Sequence, residues 1–129
     1  MNSPAEARRQ RPMPAEGAVV TKAVLRAATR LGLSNKHLGK IVGLSEATVS
    51  RMGSGAYTLS QGEKSFELAI LFVRLFRALD AVTGGDEAVA AAWLRNENRA
   101  LGAAPLALVQ SVSGLVHVLG YVDARRALA

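Results

Sequence analysis

Apolar and polar positions alternate with the period of an α-helix along most of this chain. Val20, Val24, Ala27 and Leu31 recur every three or four residues before Gly32, which predicts a first helix from Val19 or Val20 to Leu31. Alanine and leucine dominate while β-branched runs are short, so the expected fold class is all-α. Further helices are predicted over about 63–82, 86–95, from Pro105 to between Ser111 and Gly114, and from Leu115 to about Ala127.

The long helix predicted over residues 63–82 is apolar around most of its circumference. Its polar residues Glu63, Glu67, Arg74 and Arg77 cluster within one narrow sector. A face this wide is more than one neighbouring helix covers. We therefore expect the helix to pack on both halves of the chain, or on one half and a second subunit, and we expect a homodimer.

The segment Leu33–Met52 has the pattern of two short helices that cross at a sharp corner. Small Gly39 allows the second helix to cross close by, and Gly43 tolerates the positive φ that such a corner usually needs. Ser45 can cap the second helix. The residues expected to bury the facing sides of the two helices are Leu38, Ile41, Val42, Val49 and Met52.

The outward positions of the second helix carry small or polar side chains that suit the major groove of DNA. The segment resembles the helix-turn-helix of Xre-type repressors, and an ordinary αα-corner is the alternative. The candidate DNA-binding residues are Lys36, Lys40, Ser45, Glu46, Ala47, Thr48, Ser50 and Arg51.

The charge distribution favours the DNA interpretation. Residues 1–60 hold nine Lys and Arg against three acidic residues, while residues 61–129 hold seven of each, so the whole excess of +6 lies upstream. A basic surface attracts phosphates without reading sequence. Lys22, Arg26 and Arg30 join Lys36 and Lys40 as expected backbone contacts.

The N-terminal residues and the overall composition set the domain organisation. Residues 1–17 are expected to form a disordered basic tail, in which three arginines belong either to a DNA-contacting arm or to a solvated leader. Residues 18–60 then form a DNA-binding region, and residues 61–129 form a second, helical region with the expected dimerisation surface. The chain has no cysteine, which excludes disulfides and thiolate metal sites, and no run of 18 apolar residues. We therefore expect a cytoplasmic protein without membrane association, and we predict no metal and no cofactor. The three arginines are Arg8, Arg9 and Arg11.

A second resemblance lies downstream of residue 92. Trp93-Leu94, Asn98, Ala100-Leu101-Gly102, Pro105-Leu106 and Gly114 match, in order, the C-terminal module of the MbcA/ParS/Xre antitoxin family. Glu97 stands where that pattern has proline, and Ala103 stands where it has a second glycine. The family joins this module to an Xre-like helix-turn-helix, so the resemblance spans about residues 20–129. It implies an Xre-like helix-turn-helix bundle followed by a small C-terminal helical module.

The resemblance also implies a function that the residues alone do not reveal. Members neutralise a co-encoded RES-domain toxin that depletes NAD, cover its active-site entrance with their C-terminal region, and bind their own operon promoter. Carried over to this chain, the resemblance makes residues 61–129 the dimerisation and toxin-binding region. The candidate toxin contacts within it are Tyr121, Asp123, Arg125 and Arg126. The plain alternative for the charged residues is a solvated helix end whose arginines complement the helix dipole. The alternative function is a stand-alone Xre-like regulator without a toxin partner.

An enzymatic function is not indicated, and no catalytic residue is predicted. His37 and His117 are the two histidines of the chain, and His37 falls on the exposed side of the helix-turn-helix. The sequence contains no His-Glu-x-x-His pair, Walker loop or Gly-x-Ser-x-Gly elbow. An interaction protein that has lost DNA binding remains a further alternative, which salt-dependent binding to its own promoter would distinguish.

Overall fold

The computed structural model describes residues 14–128, and this part of the chain contains seven helices and no strand. The predicted all-α class is therefore confirmed. None of these helices has both the length and the hydropathy that crossing a bilayer requires. In chain order the helices are α1 (Pro14–Arg30), α2 (Asn35–Val42), α3 (Glu46–Gly53), α4 (Lys64–Val82), α5 (Glu87–Arg95), α6 (Pro105–Leu108) and α7 (Val112–Leu128).

Helix α1 begins at Pro14, earlier than the predicted start at Val19 or Val20. Residues 14–17, which the sequence assigns to a disordered tail, are therefore helical, while residues 1–13 lie outside the described part. The reason is a contact distant in sequence. Thr21 Oγ1 donates to the Gly17 carbonyl at 2.7 Å and accepts from the Leu59 amide at 2.9 Å, and Gly17 itself lies against the Leu59 carbonyl. The link after α3 thus holds the first turns of α1.

Helix α4 is the central element of the core. Phe72 and Leu75 are completely buried along its length, and the helix packs against α1 and α2 upstream and against α7 downstream. The prediction that its wide apolar face contacts both halves of the chain is confirmed. The two halves therefore share one hydrophobic core, which fixes the position of α7 relative to the helix-turn-helix.

The α6–α7 corner differs from its predicted bounds. Helix α6 ends at Leu108 rather than between Ser111 and Gly114, and α7 begins at Val112 rather than at Leu115. Ser111 accounts for the early start, because its Oγ accepts a hydrogen bond from the Gly114 amide at 3.1 Å, which satisfies a donor in the first turn. Gly114 lies directly against the Leu108 carbonyl, so a side chain there would separate the two helices.

Arg95 at the end of α5 ties the downstream half to the end of α1. Its guanidinium donates to the carbonyl of Leu31 at 3.0 Å, to that of Gly32 at 2.8 Å and to that of Ala91 at 3.0 Å. Carbonyls after the last turn of a helix lack intrahelical partners, and a cation is favourable at that end of the dipole. The side chain of Arg95 therefore caps the end of α1 and holds α5 against it.

Candidate functional sites

The α2–α3 corner has the geometry of a helix-turn-helix. Ser34 caps α2 by accepting a hydrogen bond from the His37 amide at 3.1 Å, and Ser45 caps α3 by accepting one from the Thr48 amide at 3.1 Å. Gly43 between the helices has φ of 76°, a conformation in which a side chain is strained. Gly39 approaches the Leu44 carbonyl so closely that a Cβ atom would lie 2.5 Å from the oxygen.

The inward face of this corner is buried as the pattern predicts. All five of the apolar residues expected to hold α2 against α3 are less than 4 % exposed and belong to the main core. Because this face is occupied, α3 can present only its opposite side to a partner. The five residues are Leu38, Ile41, Val42, Val49 and Met52.

The outward face of α3 presents most of the candidate DNA-binding side chains to solvent. Glu46, Ala47, Ser50 and Arg51 are exposed, whereas Thr48 is half-buried. The Thr48 hydroxyl lies 2.8 Å from Ser45 Oγ and accepts a hydrogen bond from Arg51 Nη2 at 2.9 Å. Thr48 therefore orients the Arg51 guanidinium rather than standing free beside it. Ser45, Thr48 and Arg51 thus form a hydrogen-bonded row with a spacing of three residues. The sequence pattern did not predict this row.

The cations predicted to contact the DNA backbone fall into two groups. Lys36 and Lys40 on α2 and Lys22 on α1 are exposed, and Lys22 lies beside the end of α3. Arg30 instead makes contacts within the chain. Its guanidinium is 3.5 Å from the Glu87 carboxylate and 6.0 Å from the centre of the Phe76 ring. Arg26 is exposed on α1. The three arginines of the N-terminal arm lie outside the described residues.

A pocket of about 400 Å³ lies between α4, α5 and α7. The rings of Trp93 and Tyr121 stack across one wall, with centroids 6.3 Å apart and planes 17° from parallel. Arg125 Nη2 donates to the Tyr121 hydroxyl at 2.6 Å, and the guanidinium lies 5.0 Å from the centre of the same ring. Asn98 also lines the pocket. It thus combines aromatic surface with a guanidinium, a combination favoured at protein interfaces.

The structure brings together only two of the four candidate toxin contacts. Tyr121 and Arg125 share the pocket, one helical turn apart. Asp123 lies on a different face of α7 and pairs with Arg74 of α4 at 3.9 Å, while Arg126 is exposed. The sequence pointed to Tyr121 and Arg125 but not to their partner Trp93, because the stack depends on how α5 packs beside α7.

The loop between α5 and α6 contributes Asn98 to this pocket, and it departs from the family pattern at two positions. The Asn98 Oδ1 accepts a hydrogen bond from the Leu101 amide at 3.1 Å, and the Gly102 amide donates to the Asn98 carbonyl at 2.8 Å. Gly102 has φ of 81°, whereas Ala103 does not have a positive φ. Alanine at position 103 is therefore compatible with the loop, since the left-handed residue is Gly102.

These features define a two-part helical protein: a helix-turn-helix with an exposed outer face, joined through a shared core to a C-terminal module with its own pocket. Residues 10–74 match the family model described as the antitoxin Xre-like helix-turn-helix domain, and residues 78–127 match the antitoxin Xre/MbcA/ParS C-terminal toxin-binding domain. The chain belongs to this antitoxin family, which confirms the resemblance drawn from its sequence.

A solved structure supports the same assignment. The chain is similar to a chain of the crystal structure of the M. tuberculosis MbcT–MbcA toxin–antitoxin complex, with 27% sequence identity and a TM-score of 0.65. The similarity covers 84% of this chain and 95% of that chain. A comparison with curated proteins gave no match. The structural similarity thus extends over both the helix-turn-helix and the C-terminal module.

Proposed function

We propose that this antitoxin binds and neutralises a co-encoded RES-domain toxin that depletes NAD, and that it represses its own operon by binding promoter DNA. The observation that carries the proposal is the presence, in one chain, of two separate exposed surfaces. The outer face of α3 suits a DNA groove, and the Tyr121–Arg125 pocket suits a protein partner. Family membership assigns one domain to each surface.

DNA binding is supported by the chemistry of α3 and its surroundings. The exposed Arg51 can form two hydrogen bonds with the major-groove edge of guanine, and the remaining outward side chains are small enough to let the helix enter the groove. Lys36 and Lys40 are placed to contact phosphates, which carry no sequence information. We assign base reading to Glu46, Ala47, Ser50 and Arg51, and we assign positioning of Arg51 to Thr48 and the Ser45 cap.

Toxin neutralisation is supported by the C-terminal pocket. The solved chain to which this protein is similar belongs to a toxin–antitoxin complex. By analogy, we infer that Tyr121 and Arg125 anchor the toxin, with Asp123 and Arg126 at the edge of the contact. Tyrosine and arginine supply much of the binding energy of protein interfaces. The proposal that the partner is a RES-domain toxin comes from the family resemblance.

The remaining assignments complete this proposal. We place DNA binding in residues 18–60 and dimerisation with toxin binding in residues 61–129, and we infer a cytoplasmic homodimer. A two-fold dimer would match a palindromic operator with half-sites about one DNA turn apart, or a multiple of that spacing. We infer that the protein acts by binding and not by catalysis.

The test makes one change in the helix-turn-helix and one in the C-terminal module, and it measures promoter binding and toxin neutralisation for each variant. Arg51→Ala should lose promoter affinity and still protect cells from the toxin, because the substitution is confined to the outer face of α3. Deletion of residues 123–129 should retain promoter binding, because Leu115, Val118, Leu119 and Val122 remain to hold α7 in the core. It should lose protection, because Arg125 is removed from the pocket.

Promoter affinity is measured by gel-shift titration, and protection is measured by growth and cellular NAD during co-expression with the neighbouring toxin gene. Circular dichroism confirms that both variants are folded. If the folded truncation protects fully, the inhibitory surface lies elsewhere, and the loop over residues 96–102 becomes the next candidate. If the toxin leaves NAD unchanged while it stops growth, the partner is not of the NAD-depleting type.

A further inference from the structure

An apolar stripe lies along the seam between α1 and α4, and its central residues take no part in either functional surface proposed above. Val19 is 62 % exposed and Ile70 is 38 % exposed, so the chain leaves this seam partly uncovered. Hollows of about 410 Å³ and 150 Å³ lie on either side of Val19, Val20 and Ile70. The stripe, called the α1–α4 stripe below, consists of Val19, Val20, Ala23, Ile70 and Val73.

The charges around the α1–α4 stripe are segregated by sign along its length. Glu16, which accepts a hydrogen bond from Gln61, lines the first hollow, whereas Arg74 and Arg77 line the second. The exposed column of α4 has the same order, because Glu63 and Glu67 precede Ile70 and the two arginines follow it. One end of the stripe is therefore acidic and the other is basic.

This polarity makes the surface complementary to itself. Glu63 and Arg77 lie seven residues before and after Ile70, about 10.5 Å along the helix axis in each direction. A two-fold axis at Ile70, perpendicular to α4, would place the acidic end of one copy against the basic end of the other. It would also bring the Ile70 side chains of the two copies together at the axis, with the Glu16 hollow of each copy facing the Arg74–Arg77 hollow of the other. An isologous interface requires this relation between a surface and its own rotated image.

We propose that the α1–α4 stripe is the interface between two copies of this chain, with Glu63 of one copy paired with Arg77 of the second and the two Ile70 side chains near the axis. The inference builds on the proposed homodimer and assigns its surface. Lys64 does not oppose the pairing, because it lies about 100° around the helix from Glu63. Arg74 contributes less than Arg77, because it already contacts Asp123.

The experiment uses charge reversal in the full chain and measures the dimer dissociation constant by sedimentation equilibrium. Glu63→Arg and Arg77→Glu should each raise this constant about tenfold, because each places like charges together at both symmetry-related contacts. An equimolar mixture of the two variants should form heterodimers with near wild-type affinity, because the opposite charges then face each other. The double variant should dimerise with itself for the same reason.

Matched controls separate interface charge from general effects. Glu97→Arg and Arg99→Glu make the same charge changes on the exposed α5–α6 loop, and they should leave the dissociation constant within twofold of wild type. Ile70→Asp should weaken the dimer at least tenfold, whereas Val89→Asp, at a side chain 51 % exposed on α5, should not. Circular dichroism confirms that each variant is folded.

Each outcome decides the proposal. Weakening by both single variants, with rescue in the mixture, establishes the pairing. A dimer that tolerates both single variants has its interface elsewhere, which overturns this inference and leaves the homodimer standing. Weakening without rescue in the mixture also overturns the pairing. A wild-type chain that is monomeric at all accessible concentrations overturns the inference together with the homodimer, but leaves DNA binding and toxin neutralisation to their own tests.

Discussion

Replacing Gly39 by alanine should open the helix-turn-helix corner and weaken DNA binding without any change at a DNA-contacting residue. Gly39 is buried in α2, where the turn that leads into α3 lies against it. The added Cβ atom would lie 2.5 Å from the Leu44 carbonyl oxygen, although such atoms essentially never approach closer than 3.0 Å. The neighbour is backbone, so no rotamer change relieves the contact. The corner must open by at least about 0.5 Å.

The size of the effect follows from two opposing terms. Overpacking a close contact of this kind costs about 1–3 kcal/mol, while alanine stabilises a helix interior over glycine by about 0.5–1 kcal/mol. The two ranges differ by about 0–2.5 kcal/mol, so the central expectation is a loss of about 1 kcal/mol, which lowers the melting temperature by roughly 3–6 °C for a chain of this size. Promoter affinity should fall about tenfold, because the shift displaces Ser45 and the start of α3.

Gly53→Ala is the matched control, because it makes the same substitution at the end of α3, where the added atom meets nothing within 4 Å and φ is not positive. It should melt at or slightly above the wild-type temperature. Thermal denaturation followed by circular dichroism measures stability, and gel-shift titration measures affinity. If Gly39→Ala melts as late as wild type and binds the promoter equally well, the close approach of Gly39 to the Leu44 carbonyl is not required.

Three further predictions each test one feature of the structure. Arg51→Ala should weaken promoter binding by about 1–3 kcal/mol and relax base preference. Thr48→Val should weaken it by only about 0.5–1.5 kcal/mol, because it removes a hydrogen bond that orients Arg51. Gel shifts with promoter and random DNA compare the two variants, and equal losses would contradict the positioning role of Thr48. Arg95→Ala should reduce the free energy of unfolding by about 1–3 kcal/mol in urea denaturation, and Arg99→Ala on the adjacent loop should leave it unchanged. Gly120 is exposed in α7, and a carbon added there meets no atom within 4 Å. Gly120→Ala should therefore raise the free energy of unfolding by about 0.5–1 kcal/mol. A decrease would show that α7 is not a regular helix there.

The sequence alone was sufficient for features that depend on nearby residues. The helix-turn-helix was predictable because its caps, its corner glycine and its buried face all lie within Leu33–Met52, and each acts over three or four positions. Asp86 was recognisable as the cap of α5 for the same reason, and its carboxylate accepts a hydrogen bond from the Val89 amide at 3.1 Å. Local hydrogen bonding and helical periodicity leave a direct record in residue spacing.

The tertiary structure decided the features that join residues far apart in the chain. Helix α1 starts at Pro14 because Thr21 bonds to Leu59, 38 positions away, and no local signal records that contact. The Arg95 contact with Leu31 spans 64 positions, and the Trp93–Tyr121 stack depends on how α5 packs beside α7. A charged or aromatic residue in a sequence has many possible partners. Only the packing of α1, α5 and α7 around the shared core selects the partner, and with it the shape of the C-terminal pocket.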